Sequence, residues 1–425
     1  MGSRWIVAGE RALSNPATFE SPAEEIVFFD PREPTAVGYR FAVLRGRRVT
    51  VLIESEHDRY FADLFLAPRR EGDAPTLVAS RPNGMHEIVF EPRSSEYYIL
   101  RVQPELLRGG RFRIRVTETA SLAFPVEGAG PGDIWSFFGD PRDGGARLHH
   151  GIDIFAPRGT PLLASGDSTV IRVGQRERGG NIVVLHDEAR DLLLYYAHLD
   201  EYLVRRGERV TAGDVVGTMG NTGNAVTTPP HLHIGLYEVG WRRPIDPWNY
   251  FVDPPTTDPP TVAFPERIGS WVRVEGERVL VAEVPRPAPS VVAYRNRNPL
   301  LVGAGDTFPG AELLPEDGLP PTVSAPEFTL SDEPVRIVGA ASDLVRIRTL
   351  AGDEAFVDVR GLAAADGDTS TERAFVARDP VTGDAFGELP AGTRVTVVGD
   401  GPRGTVAILT SGRVALLDPV VVGTP

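Results

Sequence analysis

The chain has no cysteine in its 425 residues. Thiol nucleophiles, disulfide staples and thiolate metal sites are therefore excluded together. Lysine is missing as well, so all 44 basic residues are arginine. No Schiff-base amine, phosphate-loop ammonium or lipoyl and biotin attachment point can exist. No apolar run nears the ~20 residues that span a bilayer. The opening Met1–Leu13 stretch has neither the basic start nor the apolar core of a secretory leader. Either the protein is intracellular or a leader has been trimmed, and the Met-Gly-Ser start favours trimming. Clustered positive charge is scarce against a net charge of −14, which argues against nucleic acid as a partner.

What is present describes a folded protein, 41% hydrophobic and 24% charged, long enough for two to four domains. Residues 22–124 carry short runs with period-two alternation: Ile26–Phe29, Tyr39–Leu44, Arg48–Ile53, Asp63–Ala67, Glu87–Phe90, Tyr97–Val102 and Phe112–Val116. Turn-rich pieces separate them, which predicts an antiparallel β-sandwich. Gly128–Gly132 reads as a linker, and Asp253–Pro260 as a stiff spacer. Between them, 131–252 is a glycine-rich all-β region. Strand patterns return over 262–425, at Ser270–Val274, Arg278–Val284, Val335–Val338, Leu344–Thr349, Glu354–Val359, Arg394–Val398, Gly404–Leu409 and Arg413–Leu417. The expected fold is thus all-β and multidomain: an N-terminal sandwich, a central antiparallel sheet and C-terminal β modules.

Three clusters in the central region carry chemistry. They are Leu148–Ile154 with His149 and Asp153, Tyr195–Leu199 with His198, and Pro230–Ile234 with His231 and His233. Around the last, Leu232, Ile234 and Leu236 alternate with the histidines, a strand pattern that sends His231 and His233 out of one face. Two imidazoles facing one way, with apolar neighbours behind, suit a metal or proton-transfer site; two such histidines in a core would each need a separate partner. His149 and Asp153 are four apart, so an extended segment puts both on one face, with Ile152 and Ile154 towards the core. Imidazole nitrogen and carboxylate oxygen are both ordinary zinc ligands, and three protein ligands with an open fourth position make a catalytic zinc site. Zinc-bound water ionises near neutral pH, and hydrolysis further needs groups to move protons and stabilise the oxyanion.

These residues resemble the lysostaphin/LytM type of zinc endopeptidases, which cut peptide cross-links in peptidoglycan. The family pattern H-x-G-x-D, then AHL, then H-x-H occurs in that order at His149–Asp153, Ala197–Leu199 and His231–His233. Agreement extends through Phe138-Gly139, Ala156–Pro161, Gly180–Val184, Gly213–Gly217, Gly220–Gly223 and Asp246-Pro247, about 120 residues in all. The resemblance implies one zinc ion held by His149, Asp153 and His233, with His198 and His231 as the catalytic pair. It leaves open which of the two is the base. It implies a peptidoglycan hydrolase acting on stem or bridge peptides in the cell envelope, periplasmic or secreted. Two departures stand out: Pro229 replaces a family glycine and Gly235 a glutamate. A loop tyrosine found in some members has no counterpart near Arg142–Arg147.

The 22–124 region is similar to jelly-roll-like accessory domains of secreted peptidases. Residues 345–361 and 387–398 resemble bacterial Src-homology-three barrels, which suggests two small units at about 262–363 and 372–425. Val204–Val215 is similar to lipoyl-domain hairpins, a reading the missing lysine removes. A catalytically silent scaffold or activator of a wall amidase is the alternative function, and a general protease a further one. His150, His186, His57 and His86 are expected to be structural or peripheral. Trp241 and Trp248 are expected to close the core, Arg242-Arg243 to form a solvated turn, and Trp135, Phe137 and Phe138 either to line a groove or to pack.

Overall fold

A computed structural model describes residues 1–70, 72–241, 243–255, 258–274, 277–281, 327–331, 334–364, 367–401 and 403–417. Among these, sheets dominate, and the longest helix is Gly2–Ser14. No element was expected there, although Trp5, Ala8, Ala12 and Leu13 recur at helical spacing on its packed side. The helix is anchored by Trp5, whose indole donates to the Pro104 carbonyl at 2.8 Å and meets Phe61 edge-on.

The N-terminal region is a sandwich of two sheets. One orders Ala17–Thr18, Val37–Val43, Glu96–Pro104, Tyr60–Leu66 and Thr76–Ser80. The other carries Ala23–Phe29, Gly110–Ala120, Arg47–Ser55 and Glu87–Phe90. The alternation seen in the sequence is the alternation of burial: Val49, Val51 and Ile53 lie inside, facing Phe41, Leu64 and Leu100. The second sheet does not stop at the sandwich. Ala23–Phe29 pairs antiparallel with Pro334–Ala341, so the C-terminal strands Leu344–Arg348 and Glu354–Asp358 continue the same sheet. Arg346 closes this junction with a bidentate pair to Glu25, both distances 2.7 Å and both side chains buried. Paired charges of this kind tolerate burial because the fork satisfies both oxygens. A separate six-stranded sheet spans 367–417. The strand expected at Arg278–Val284 is seen as Glu277–Val281, and residues 282–284 lie outside the described residues.

The central sheet positions the site. Seven of its eight strands are β1 (Ile134–Ser136), β2 (Ile152–Phe155), β3 (Ser168–Arg176), β4 (Gly180–Asp187), β5 (Leu192–Leu199), β6 (Arg209–Val210) and β7 (His231–Glu238). They lie in the order β1-β2-β7-β5-β4-β3-β6, with Pro244–Ile245 paired beside β7. One face buries Ile152, Ile154, Leu194, Tyr196, Leu232 and Ile234, all essentially inaccessible. Each such side chain contributes about 1.5–3 kcal/mol relative to exposure. Leu122 and Val126, upstream of the glycine-rich stretch, pack in this same core. The sandwich is tied to the central region by polar contacts. Arg47 reaches the Val252 carbonyl and Asn249, Arg45 donates to the Tyr250 hydroxyl at 3.1 Å, and Arg190 pairs with Glu91 at 2.8 Å.

Candidate functional site: a His-Asp-His group beside two further histidines

The open face of the central sheet holds the three clusters. Asp153 on β2 lies directly across from His233 on β7, and Phe155 across from His231. Strand alternation alone therefore places Asp153, His231 and His233 on one face, because Ile152, Ile154, Leu232 and Ile234 occupy the other. His149 arrives differently. It precedes β2 in a bent segment, held by backbone bonds between Asp140, His149 and Gly139. Gly151 makes the bend fit: a Cβ there would lie 2.4 Å from the Ile234 carbonyl and 2.8 Å from the His233 ring. The glycine of the H-x-G-x-D pattern is required by this close approach, not by an unusual backbone angle.

Three donor atoms converge. His149 Nε2 is 2.9 Å from His233 Nδ1 and 3.1 Å from Asp153 Oδ1, and His233 Nδ1 is 3.0 Å from the same oxygen. The Phe137 carbonyl lies 2.8 Å from His149 Nδ1. A carbonyl only accepts, so Nδ1 carries the proton and Nε2 offers its lone pair to the group. Ligands about 2.0–2.1 Å from a tetrahedral zinc ion stand roughly 3.3 Å apart, close to the spacing found here. Two nitrogens and one carboxylate oxygen at that separation fit a divalent metal of the zinc type. Among the described residues this is the one His/Cys/Asp/Glu group with such convergence.

Electrostatics agree with an anionic pocket floor. Burial works to raise the Asp153 carboxyl, but the His149 and His233 imidazoles against its Oδ1 outweigh it and hold Asp153 far below the usual carboxylate range. Burial lowers the His233 imidazole, with Asp153 opposing. Both shifts favour the states that ligate: carboxylate ionised, imidazole neutral.

His198 and His231 face each other beside this group, ring centroids 5.0 Å apart, and His198 is 6.1 Å from His233. The sequence pattern alone misplaces His198. Two residues after the buried Tyr196, it belongs by parity on the core face. A bulge intervenes: Asn181 pairs with Leu199 and Val183 with Tyr196, leaving one extra residue on β5. His198 takes φ +69°, a left-handed conformation costly for a residue with a Cβ, and this rotates its ring onto the site face. The Thr222 carbonyl, 2.8 Å from Nδ1, fixes the ring, and the Pro229 carbonyl does the same for His231 at 3.0 Å. Both carbonyls accept a hydrogen bond from Nδ1, so in the neutral form of each ring the lone pair sits on Nε2. Burial, helped by His233, pulls the His198 pKa down to about 4, which keeps it neutral near pH 7.

Of the two departures from the family pattern, Gly235 acquires a local reason, while Pro229 acts here through a carbonyl that any residue would present. The carbonyl of Pro229 orients His231. Gly235 admits the His150 carbonyl, which would sit 2.8 Å from a Cβ. His150 is exposed, His186 lies on β4, and His86 meets Tyr60 in the sandwich. The expectation for Trp241 is corrected. It is 40% exposed and meets Tyr195 edge-on and Tyr237 at a tilt on the open face, because β7 ends in a turn there and carries it past the core. Trp248 does pack against the core, beside Phe137. Trp135 is 61% exposed and stacked on Phe155, which stacks in turn on His231. Arg243 pairs with Glu238 at 2.9 Å, and Arg242 lies outside the described residues. Sequence reasoning missed Ser136 and Arg142, both of which touch the His-Asp-His group. Phe138-Gly139 marked the right turn, but nothing in the spacing pointed to its neighbours.

Residues 147–247 match the model of Peptidase family M23. Among curated proteins the chain is similar to the peptidoglycan DD-endopeptidase ShyC of Vibrio cholerae, 40% identical over 93 residues, covering 22% of this chain and 21% of that protein. It is also similar to the uncharacterized lipoprotein YgeR of Escherichia coli, 39% identical over 109 residues, covering 25% of this chain and 40% of that protein. The chain thus spans less than half the length of either relative. Among solved structures, the catalytic domain of lysostaphin from Staphylococcus simulans aligns with 30% identity, covering 27% of this chain and 86% of that one, with a TM-score of 0.25. The chain carries a peptidase M23 domain.

Proposed function

We propose that this chain is a zinc-dependent endopeptidase that hydrolyses peptide cross-links of bacterial peptidoglycan, working in the cell envelope as a periplasmic or secreted protein. The observation that carries this reading is the convergence of His149 Nε2, Asp153 Oδ1 and His233 Nδ1 within about 3 Å of one another, with His198 and His231 alongside. The M23 match over 147–247 and the DD-endopeptidase relative support the substrate class. Residues 131–252 are the peptidase unit, flanked by the accessory module at 22–124, whose second sheet strands of 262–363 continue, and by a β module at 372–425.

His149, Asp153 and His233 would hold the zinc ion, which when bound would supply an acidified water and polarise the scissile carbonyl. The remaining work belongs to side chains. A neutral imidazole with its Nε2 free accepts the proton of the attacking water, and the same group returns it to the leaving amine. His198 fits this role, since burial keeps it unprotonated near neutral pH. His231, its Nδ1 proton held by the Pro229 carbonyl, stands across the gap, where it stabilises charge developing on the carbonyl oxygen once it carries a proton on Nε2. All five positions are filled, which speaks against the silent scaffold. The test is direct. Purified protein should contain about one zinc per chain and release cross-linked muropeptide fragments, detected by mass spectrometry. A chelator should abolish the release and added zinc restore it. Zinc-loaded protein inert towards every wall preparation would defeat the proposal.

A further inference from the structure

The two oxygens of Asp153 have different partners. Oδ1 faces His149 and His233, while Oδ2 accepts a hydrogen bond from Arg142 Nη2 at 3.0 Å. Arg142 sits on a short hairpin, Pro141–Arg142 against Arg147–Leu148, directly after the turn that follows β1. The same Nη2 bonds the Ser136 hydroxyl. Ser136 in turn donates to Asp140 Oδ2 at 3.2 Å, and that carboxylate oxygen also accepts the Phe137 amide at 2.7 Å. The Phe137 carbonyl holds His149 Nδ1. One turn, residues 136–142, therefore orients two members of the group from behind.

We infer that Arg142 is a positioning residue that keeps Asp153 a one-oxygen ligand, with Ser136 tethering the guanidinium. The inference rests on the zinc-site reading above. A free carboxylate can swing to place both oxygens on a metal, which fills the corner that a reactive water needs. With Oδ2 engaged by Arg142, that swing costs an ion pair and its hydrogen bond. The guanidinium suits the task because a single nitrogen presents two hydrogens at a fixed angle, one to Ser136 and one to Asp153. Residues behind metal ligands commonly set affinity by 10–100-fold.

The sign of the effect separates positioning from simple charge. A cation near a metal site repels the metal, so removing a guanidinium that acted through charge alone would tighten zinc binding. Removing one that positions a ligand weakens it. The experiment measures the zinc dissociation constant of the full chain by chelator competition, and the visible spectrum of the cobalt-substituted protein. Arg142→Ala should weaken zinc roughly 10–100-fold, and the cobalt bands should lose intensity as coordination rises above four. Arg142→Lys should recover part of both, and Ser136→Ala should shift both in the same direction by less. Should Arg142→Ala fail to fold, as judged by circular dichroism, the Ser136→Ala and Arg142→Lys proteins decide the matter by the same readouts. Unchanged or tighter zinc binding with an unchanged cobalt spectrum would overturn the inference. Wild-type protein that cannot be loaded with zinc would instead overturn the zinc-site reading itself.

Discussion

Strands β7 and β5 both bring histidines to the site, and they do so by opposite means. On β7, His231 and His233 obey strand alternation, with Leu232 and Ile234 fully buried behind them. On β5, alternation would bury His198 with Tyr196, and a bulge with φ +69° turns it around. Regular pairing thus places the groups that need fixed mutual distances, Asp153 and His233 across one β2–β7 rung. The irregular position holds the group assigned to move a proton. Backbone strain and a depressed pKa coincide at His198, and a residue of purely structural use would favour neither.

Substitutions can break this contrast. The largest effect should come from the regular side: Asp153→Ala or His233→Ala should lose zinc at the affinity of ordinary handling and cut activity by roughly 10³-fold or more, read by metal analysis alongside muropeptide release. On the irregular side, His198→Ala should keep about one zinc per chain yet lower kcat by ~10²–10⁴-fold. A His198→Ala protein that has lost its metal would erase the distinction between the two strands.

Gly151→Ala should act on neither strand's chemistry but on their spacing. Its Cβ would press on the Ile234 carbonyl and the His233 ring, so β2 and β7 must shift apart at the ligands. A destabilisation of about 1–3 kcal/mol is expected, seen as a lower Tm, with weaker zinc binding. An unaltered Tm and zinc affinity would show that the close approach is not needed.

Acidification gives the most local test, in metal-free protein. His198 has its folded pKa lowered, chiefly by burial, to about 4, against roughly 6.5 when unfolded. The unfolded chain therefore binds the extra proton between these values, and stability falls as pH drops from about 6.5 towards 4. This one group accounts for on the order of 2–3 kcal/mol of that fall. His198→Gln, neutral throughout, should flatten the Tm-against-pH curve over that window. Curves that stay parallel for the two proteins would argue that His198 titrates normally.

The sandwich shows how far patterning reaches. Every alternating run named over 22–124 falls within or against an observed strand, because at least one face of each is buried, although Val37–Val43 and Glu96–Pro104 are buried on both. The pairing of Ala23–Phe29 with Pro334–Ala341 was invisible, since about 300 residues separate the partners and an edge strand carries no mark of which edge it will meet. The Gly2–Ser14 helix was legible but passed over: Trp5, Ala8, Gly9, Ala12 and Leu13 stand at helical spacing and are its buried and half-buried residues.

From its own order of residues the chain determines that Asp153, His231 and His233 share a face, that no thiol or amine chemistry is available, and that three clusters belong to one all-β region. These follow from local rules, the two-residue repeat of a strand and the inventory of side chains. Only the tertiary structure decided that His198 joins them, that Gly151 lets β2 and β7 close on the group, and that Arg142 stands behind Asp153. Each of these depends on a bulge, a close approach or a turn, where distant backbone sets a conformation that no neighbouring residue specifies.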